Sequence, residues 1–304
     1  MPSDVGFLYS GRHNSLGTQY DAFVNALPAG TTIFPPTAAA SGVNNNYGLL
    51  VAQAQALVDT HNVQVVVAAG GTVCARAARD GVAASGTPGT PVVFTSVSDP
   101  RGSGLYQPNL TGVAGMTAEL DSVRLRYLQQ TRPGITEIGV LRNTSRYNAV
   151  QLWNTLQATA DPRLHLHSGD IPAPAPAGRI RQVIQNLLAL NPPIQALLVT
   201  ADPMFNDLRL DVIRPGGVPL SIPAIYQWCE FVGDGGLMSV GPNLVEEYTV
   251  AGQYVSRILR GERPQDIPLY QPIKFELCIN RNTANALKLD LPAMLLERAD
   301  QLIE

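Results

Sequence analysis

The sequence predicts an α/β fold of two doubly wound, parallel-sheet (Rossmann-like) lobes joined by a multi-strand hinge, and three observations carry the prediction. Short apolar runs rich in β-branched residues alternate with helical patterns, the mark of right-handed βαβ crossovers and of sheets covered on both faces. The rhythm starts again after Thr111. A chain of 304 residues also exceeds one ordinary core and suits two domains of about 150 residues.

Strands are expected first at 5–9, 31–34, 63–69 and 91–95, each bounded by turn residues. Helices are expected at 47–60, where Leu50, Ala54, Leu57 and Val58 share one stripe, and at 73–84, directly after the third strand. The second half reads as helix 119–130, strand 137–141, helix 148–158, strand 164–167, helix 179–190 and strand 196–200. Ile180, Val183, Ile184 and Leu187 fall at core spacing on the last of these helices. The Pro-rich segment 173–178 reads as a rigid surface loop. Beyond Asp202, residues 223–232 lead through Gly235, Gly236 and Gly241 into a long helix at 244–259 and a strand at 273–279. Glycines at such a point suit crossovers of a hinge, where the backbone turns sharply. The lobes are therefore expected at 1–112 with 237–269, and at 113–236 with 270–304.

Charged residues make up 15% of the chain and hydrophobic ones 45%, so the surface relies on neutral polar groups, Gly and Pro. A net charge of −3 leaves no basic stripe to neutralise phosphates, which excludes nucleic acid as a partner. No apolar run reaches the roughly 18 residues of a membrane span. The N-terminus lacks a basic and then apolar leader, because 5–9 already reads as a strand; a mature or trimmed chain is expected. Cys74, Cys229 and Cys278 are odd in number and have no CxxC spacing, so all three are expected to be small buried side chains.

In open parallel sheets ligands lie beyond the carboxyl ends of the strands, and those positions here are small or polar. They are Ser10 and Gly11, Gly70 to Thr72, Ser96, Ser98 and Asp99, Asn143 and Ser145, and Asp202. Gly71 and Thr72 open a helix whose free N–H groups could hold an anion; an ordinary N-cap would look the same. Ser96, Ser98 and Asp99 offer ligand contacts or a turn before Pro100. Asp202 could pair with a ligand amine or cap a helix before Pro203, and Tyr226 and Trp228 could stack on a flat ligand or simply pack.

Catalytic constellations are absent: there is no GxSxG, HExxH, P-loop or GxGxxG after a strand. His165 and His167 share one face of a strand but have no third ligand nearby in sequence, so no metal is expected. His13 beside Arg12, and Cys74, have no recognisable partner group. No enzymatic activity and no cofactor are expected.

Four stretches carry a family resemblance: PVVFTSVSDPRGSGL at 91–105, NLTGV at 109–113, GGLMSVGPNL at 235–244, and RILRGERPQDIPLYQPIKFELCINRNTANALKLDLPAMLLERADQLIE at 257–304. With weaker matches it spans essentially the whole chain, which resembles the substrate-binding proteins of bacterial ABC transporters, the group that includes tryptophan- and tyrosine-type binders. The resemblance implies a type I periplasmic-binding-protein fold and a Venus-flytrap receptor that closes on a small molecule between its lobes. It also implies a monomer outside the cytoplasm, with an ABC permease and its ATPase subunit as partners. Carried over by position, Gly71, Thr72, 96–99, 143–145 and Asp202 fall on the family's cleft. The chain departs from the family where Thr144, not proline, follows Asn143, where Arg146 follows closely, and where Val240 replaces a tyrosine. Pocket logic favours an amino acid or aromatic acid as ligand. A ligand-sensing regulatory protein of the same fold, or a small-molecule enzyme, are the alternatives.

Overall fold

The computed structural model describes residues 4–11, 16–34, 46–115 and 120–304. Arg12 and His13, and the expected start of a helix at Glu119, lie outside the described residues. In chain order the elements begin β1 (Asp4–Tyr9), α1 (Thr18–Asn25), β2 (Thr32–Phe34), α2 (Tyr47–Asp59), β3 (Val65–Ala69), α3 (Gly71–Ala83), β4 (Val92–Phe94) and β5 (Leu110–Gly112). There follow α4 (Asp121–Gln130), β6 (Glu137–Asn143), α5 (Ala149–Thr159), β7 (His165–Ile171), α6 (Arg179–Leu188), β8 (Ala196–Val199), α7 (Pro203–Asp207) and α8 (Arg209–Ile213). The chain closes with β9 (Ala224–Tyr226), α9 (Cys229–Gly233), β10 (Met238–Gly241), α10 (Leu244–Leu259), β11 (Glu276–Asn280), α11 (Arg281–Ala286), α12 (Ala293–Glu297) and β12 (Gln301–Ile303). Two units result: Met1–Met116 with Leu244–Ile273, and Thr117–Asn243 with Lys274–Glu304.

The first unit holds a wholly parallel sheet in the order β2-β1-β3-β4-β5. Its central strands β3 and β4 are apolar and buried at every position because both faces are covered. Side chains alternate across the pleat, so Leu8, Val66, Ala68, Val92 and Phe94 meet α2 and α3, while Val5, Phe7, Tyr9, Val65 and Val67 face the side of α1 and α10. The expected stripe Leu50, Ala54, Leu57 and Val58 is the buried face of α2, whose start is capped by the Asn46 side chain accepting from Leu49 N–H at 3.3 Å. Helix α10 delivers Tyr248, Ala251, Val255 and Ile258 to the opposite face. Burying side chains of this kind contributes roughly 1.5–3 kcal/mol each.

The second unit carries seven strands in the order β12-β11-β10-β9-β8-β6-β7, parallel except for β10 against β11. This corrects the expected domain limits. Residues 237–243 belong to the second unit, because Met238–Gly241 is a strand inside its sheet and not a hinge passage. Gly241 is required by a close approach: a Cβ there would lie 1.8 Å from the Gln227 carbonyl oxygen. Residues 113–116 and 270–273 stay with the first unit, where Tyr270 N–H donates to Gly112 and Ala114 N–H donates to Tyr270.

Cysteine usage also differs from expectation. Cys229 and Cys278 form a disulfide with Cα atoms 5.6 Å apart, tying the start of α9 to β11. An odd count allows one pair and one free thiol, and 49 residues of separation hid the pair. Cys74 is buried and free, as expected, and its thiol donates to the Leu8 carbonyl.

Candidate functional site

The carboxyl ends of the first unit's strands bring together Ser10, Gly11, Gly70 to Thr72, Thr95, Ser96 and Ser98. Gly70 links β3 to α3 at φ 128°, and a Cβ there would lie 2.2 Å from the Ser10 hydroxyl, so only glycine fits this turn. The Ser10 hydroxyl is fully buried and donates to the Gly70 carbonyl at 3.2 Å; it props the turn open for Gly71 and Thr72, which begin α3, and is itself covered, as is Gly11. Thr95 is fully buried, and its hydroxyl has no hydrogen-bond partner among the described residues. Ser96 adopts φ 54°, which turns the chain at the strand end and lets its hydroxyl donate to the buried Glu247 carboxylate in the first turn of α10. Ser98 is half-buried, whereas Asp99 is exposed and accepts from Gly102 N–H at 2.8 Å, the turn alternative for that residue.

The second unit's strand ends are built from charge. Asn143, at the end of β6, accepts from Ser145 N–H at 2.9 Å and donates to the Asp202 carboxylate at 3.1 Å. Asp202 caps α7 through Met204 N–H at 2.9 Å, so both of its oxygens are engaged internally. Burial pushes its carboxyl up, against the pull of Arg146, which donates to the Ala201 carbonyl at 2.6 Å. Asp121 and the fully buried Arg124 pair at 2.5 Å on α4; burial pushes the carboxyl up and the guanidinium down, each opposed by its partner. Arg124 also donates to the Val240 carbonyl at 2.8 Å, fixing α4 to β10. A small cavity of about 30 Å³ is lined by Asp121, Arg142, Asn143, Arg146, Trp153 and Thr200.

The family model described as ABC transporter substrate binding protein matches residues 38–303. The chain belongs to the ABC transporter substrate binding protein family. Its type I periplasmic-binding-protein fold is shared by solved structures. One, an ABC domain from Streptococcus pneumoniae in complex with L-Trp, has a TM-score of 0.79 and 20% identity over 98% of this chain and 100% of that one. A conserved domain protein from Vibrio cholerae has a TM-score of 0.82 and 21% identity over 99% and 100%. A LacI family transcriptional regulator from Bifidobacterium animalis shares the fold at a TM-score of 0.59 and 13% identity over 90% and 95%. Among curated proteins, none matches by sequence.

For a substrate-binding protein of this fold, the stacking expectation at Tyr226 is corrected. Its ring is almost fully buried and stacked on Phe231, with centroids 4.8 Å apart at 15°, so the side chain packs inside the second unit. Trp228 is also buried, and its indole N–H has no hydrogen-bond partner among the described residues. Ser145 is exposed and bonds across to Ala173, holding one loop to another. Sequence reasoning missed Thr95, Glu247 and, above all, Gln227. Gln227 follows β9, is fully buried, and neither its amide oxygen nor its amide nitrogen has a partner among the described residues. Its only visible signal is an amide between two aromatic residues at a strand end.

Another concavity lies elsewhere in the substrate-binding protein. A groove of about 310 Å³ in the first unit is lined by Leu105, Tyr106, Pro108, Leu110, Ile267 and Leu269, among others, at the amino end of β5 and without a charged side chain. Among the described residues, Cys229, Glu276 and Cys278 are the one group of three donor atoms already within 4.8 Å of each other, and the disulfide occupies two of them. No helix among the described residues is long and apolar enough to cross a membrane.

Proposed function

We propose that this substrate-binding protein is the solute receptor of an ABC importer and captures a small polar or aromatic molecule, an amino acid or aromatic acid by first choice. The observation that carries this reading is the fully buried, unpartnered amide of Gln227 at the strand ends of the second unit. Leaving buried donors and acceptors unbonded costs about 1–3 kcal/mol per group, a cost that a bound polar ligand removes.

The first unit supplies complementary chemistry: the N-terminus of α3 at Gly71 and Thr72 suits a carboxylate, and the buried Glu247 suits an ammonium group. The pneumococcal relative bound to L-Trp supports an amino acid. Asn143 and the indole N–H of Trp228 complete the ligand set in this reading. Asp202 takes an ammonium only by sharing oxygens already engaged.

Capture works by population shift: a ligand favours whichever conformational state it binds with the higher affinity. The partners are an ABC permease and its ATPase subunit, and the working compartment is extracytoplasmic. The Cys229–Cys278 disulfide supports that location, since such bonds persist in oxidising surroundings.

Thermal-shift screening of the purified chain against amino acids, aromatic acids, sugars and polyols tests the reading. An amino acid or aromatic acid is expected to raise Tm in a concentration-dependent way. A rise with sugars or polyols alone sinks the amino acid assignment.

A further inference from the structure

We propose that Glu137, His165 and His167 form a binding site for a borderline divalent transition metal, with Zn²⁺ as the type ion. Strands β6 and β7 pair in parallel with Glu137 opposite His165 and Gly139 opposite His167. The two-residue period of a strand puts both imidazoles on one face, and the register puts the carboxylate on that same face one strand away. The sequence offered two of these donors; the third arrives from 28 residues upstream in the chain.

The carboxylate already joins both rings, although the three donors do not yet converge on one point. One Glu137 oxygen lies 2.6 Å from His165 Nδ1 and the other 2.6 Å from His167 Nε2. Two imidazoles and a carboxylate are the donor set of open zinc sites, and they match the preference of borderline ions for nitrogen and oxygen ligands. A metal ion takes the place of the proton that each ring donates to the carboxylate. Each ring nitrogen rests on a different oxygen, so entry of the ion requires the two rings to turn toward one another. Both rings have solvent on their outer side: the side chain of His165 is 67% exposed and that of His167 30%, while Glu137 at 9% forms the inner wall.

Outer support is present as well. The Gln195 side-chain oxygen accepts from Thr136 N–H at 2.7 Å and Glu137 N–H at 3.2 Å, which holds the start of β6 in place. The solvent side leaves coordination positions for water or a further ligand. The site is separate from the proposed ligand edge, because Glu137 and His165 begin their strands whereas Asn143 ends β6 about 20 Å away at roughly 3.3 Å per residue.

The test is calorimetric titration of Zn²⁺ into the whole chain after chelator treatment, with its disulfide intact. One Zn²⁺ per chain is expected, with affinity reduced at least about tenfold in Glu137→Gln and in the double variant His165→Ala, His167→Ala. Circular dichroism of the double variant is expected to match the parent, since both rings reach solvent. A Cys229→Ser, Cys278→Ser variant is expected to keep the binding. Absence of saturable uptake, uptake unchanged by the double histidine variant, or uptake lost only in the cysteine variant overturns the proposal.

Discussion

The strand ends of the two units meet the same demand with different materials. In the first unit the edge is made of glycine and hydroxyls, and its bonds run to the backbone or to one carboxylate: Ser10 to Gly70, Ser96 to Glu247. In the second unit the edge is ionic, with Asp121, Arg124, Asn143, Arg146 and Asp202 joined to one another or to carbonyl groups. Small neutral residues leave backbone N–H groups accessible; a charged network costs desolvation and returns fixed geometry. The difference teaches that one edge is shaped by steric permission and the other by electrostatic bracing, and that the braced edge is the one that holds an unpartnered amide.

The largest test of this contrast is Arg124→Met. Removing one member of a buried pair leaves Asp121 uncompensated, and a loss of about 3–5 kcal/mol is expected in urea melts. A loss under ~1 kcal/mol would mean the second edge is not braced by charge. Next comes Gly70→Ala, where φ 128° and the Ser10 contact predict a loss of roughly 1–3 kcal/mol, read in the same melts, together with weaker ligand binding.

Gln227→Leu separates function from stability. It is expected to raise stability by about 1 kcal/mol, because an unpartnered buried amide is removed, while ligand affinity measured by calorimetry falls tenfold or more. A destabilised variant with unchanged affinity would assign Gln227 to packing.

The smallest effect is a pH dependence at Asp202. Its native carboxyl is held above the unfolded range near pH ~3.9, so the folded protein binds that proton more tightly. The stability of the wild type relative to Asp202→Asn is then greatest below the unfolded value and is lost as pH rises through the raised native one. Urea melts of both proteins at pH 3.5 and pH 7 measure the gap; a gap that widens toward pH 7 contradicts the assignment.

Elements with a long periodic pattern were legible from sequence. Helix α10 spans Leu244–Leu259, the range its apolar spacing indicates, and the four expected first-unit strands shift by two residues at most, while the short β5 was not expected. Strand β10 was not legible, because four residues between glycines read as turn punctuation and their pairing with β9 and β11 is set elsewhere in the chain. The candidate site was legible as a location and less so as chemistry. Strand ends pointed to Gly71, Thr72, Ser96 and Asn143, yet the anchorage of Arg124 depends on a carbonyl 116 residues away. Contacts of that range leave no local trace, which is also why Glu137 could not be matched to His165 and His167 before the strands were paired.

Helix α10 has a consequence for how this protein is made. It lies in the chain after nearly all of the second unit, yet it supplies Tyr248, Ala251, Val255 and Ile258 to the core of the first. A ribosome therefore releases the first sheet with one apolar face covered only by α1 and completes it only after the strands β6 to β10 have emerged. Unit-by-unit folding in the order of synthesis does not suit this topology.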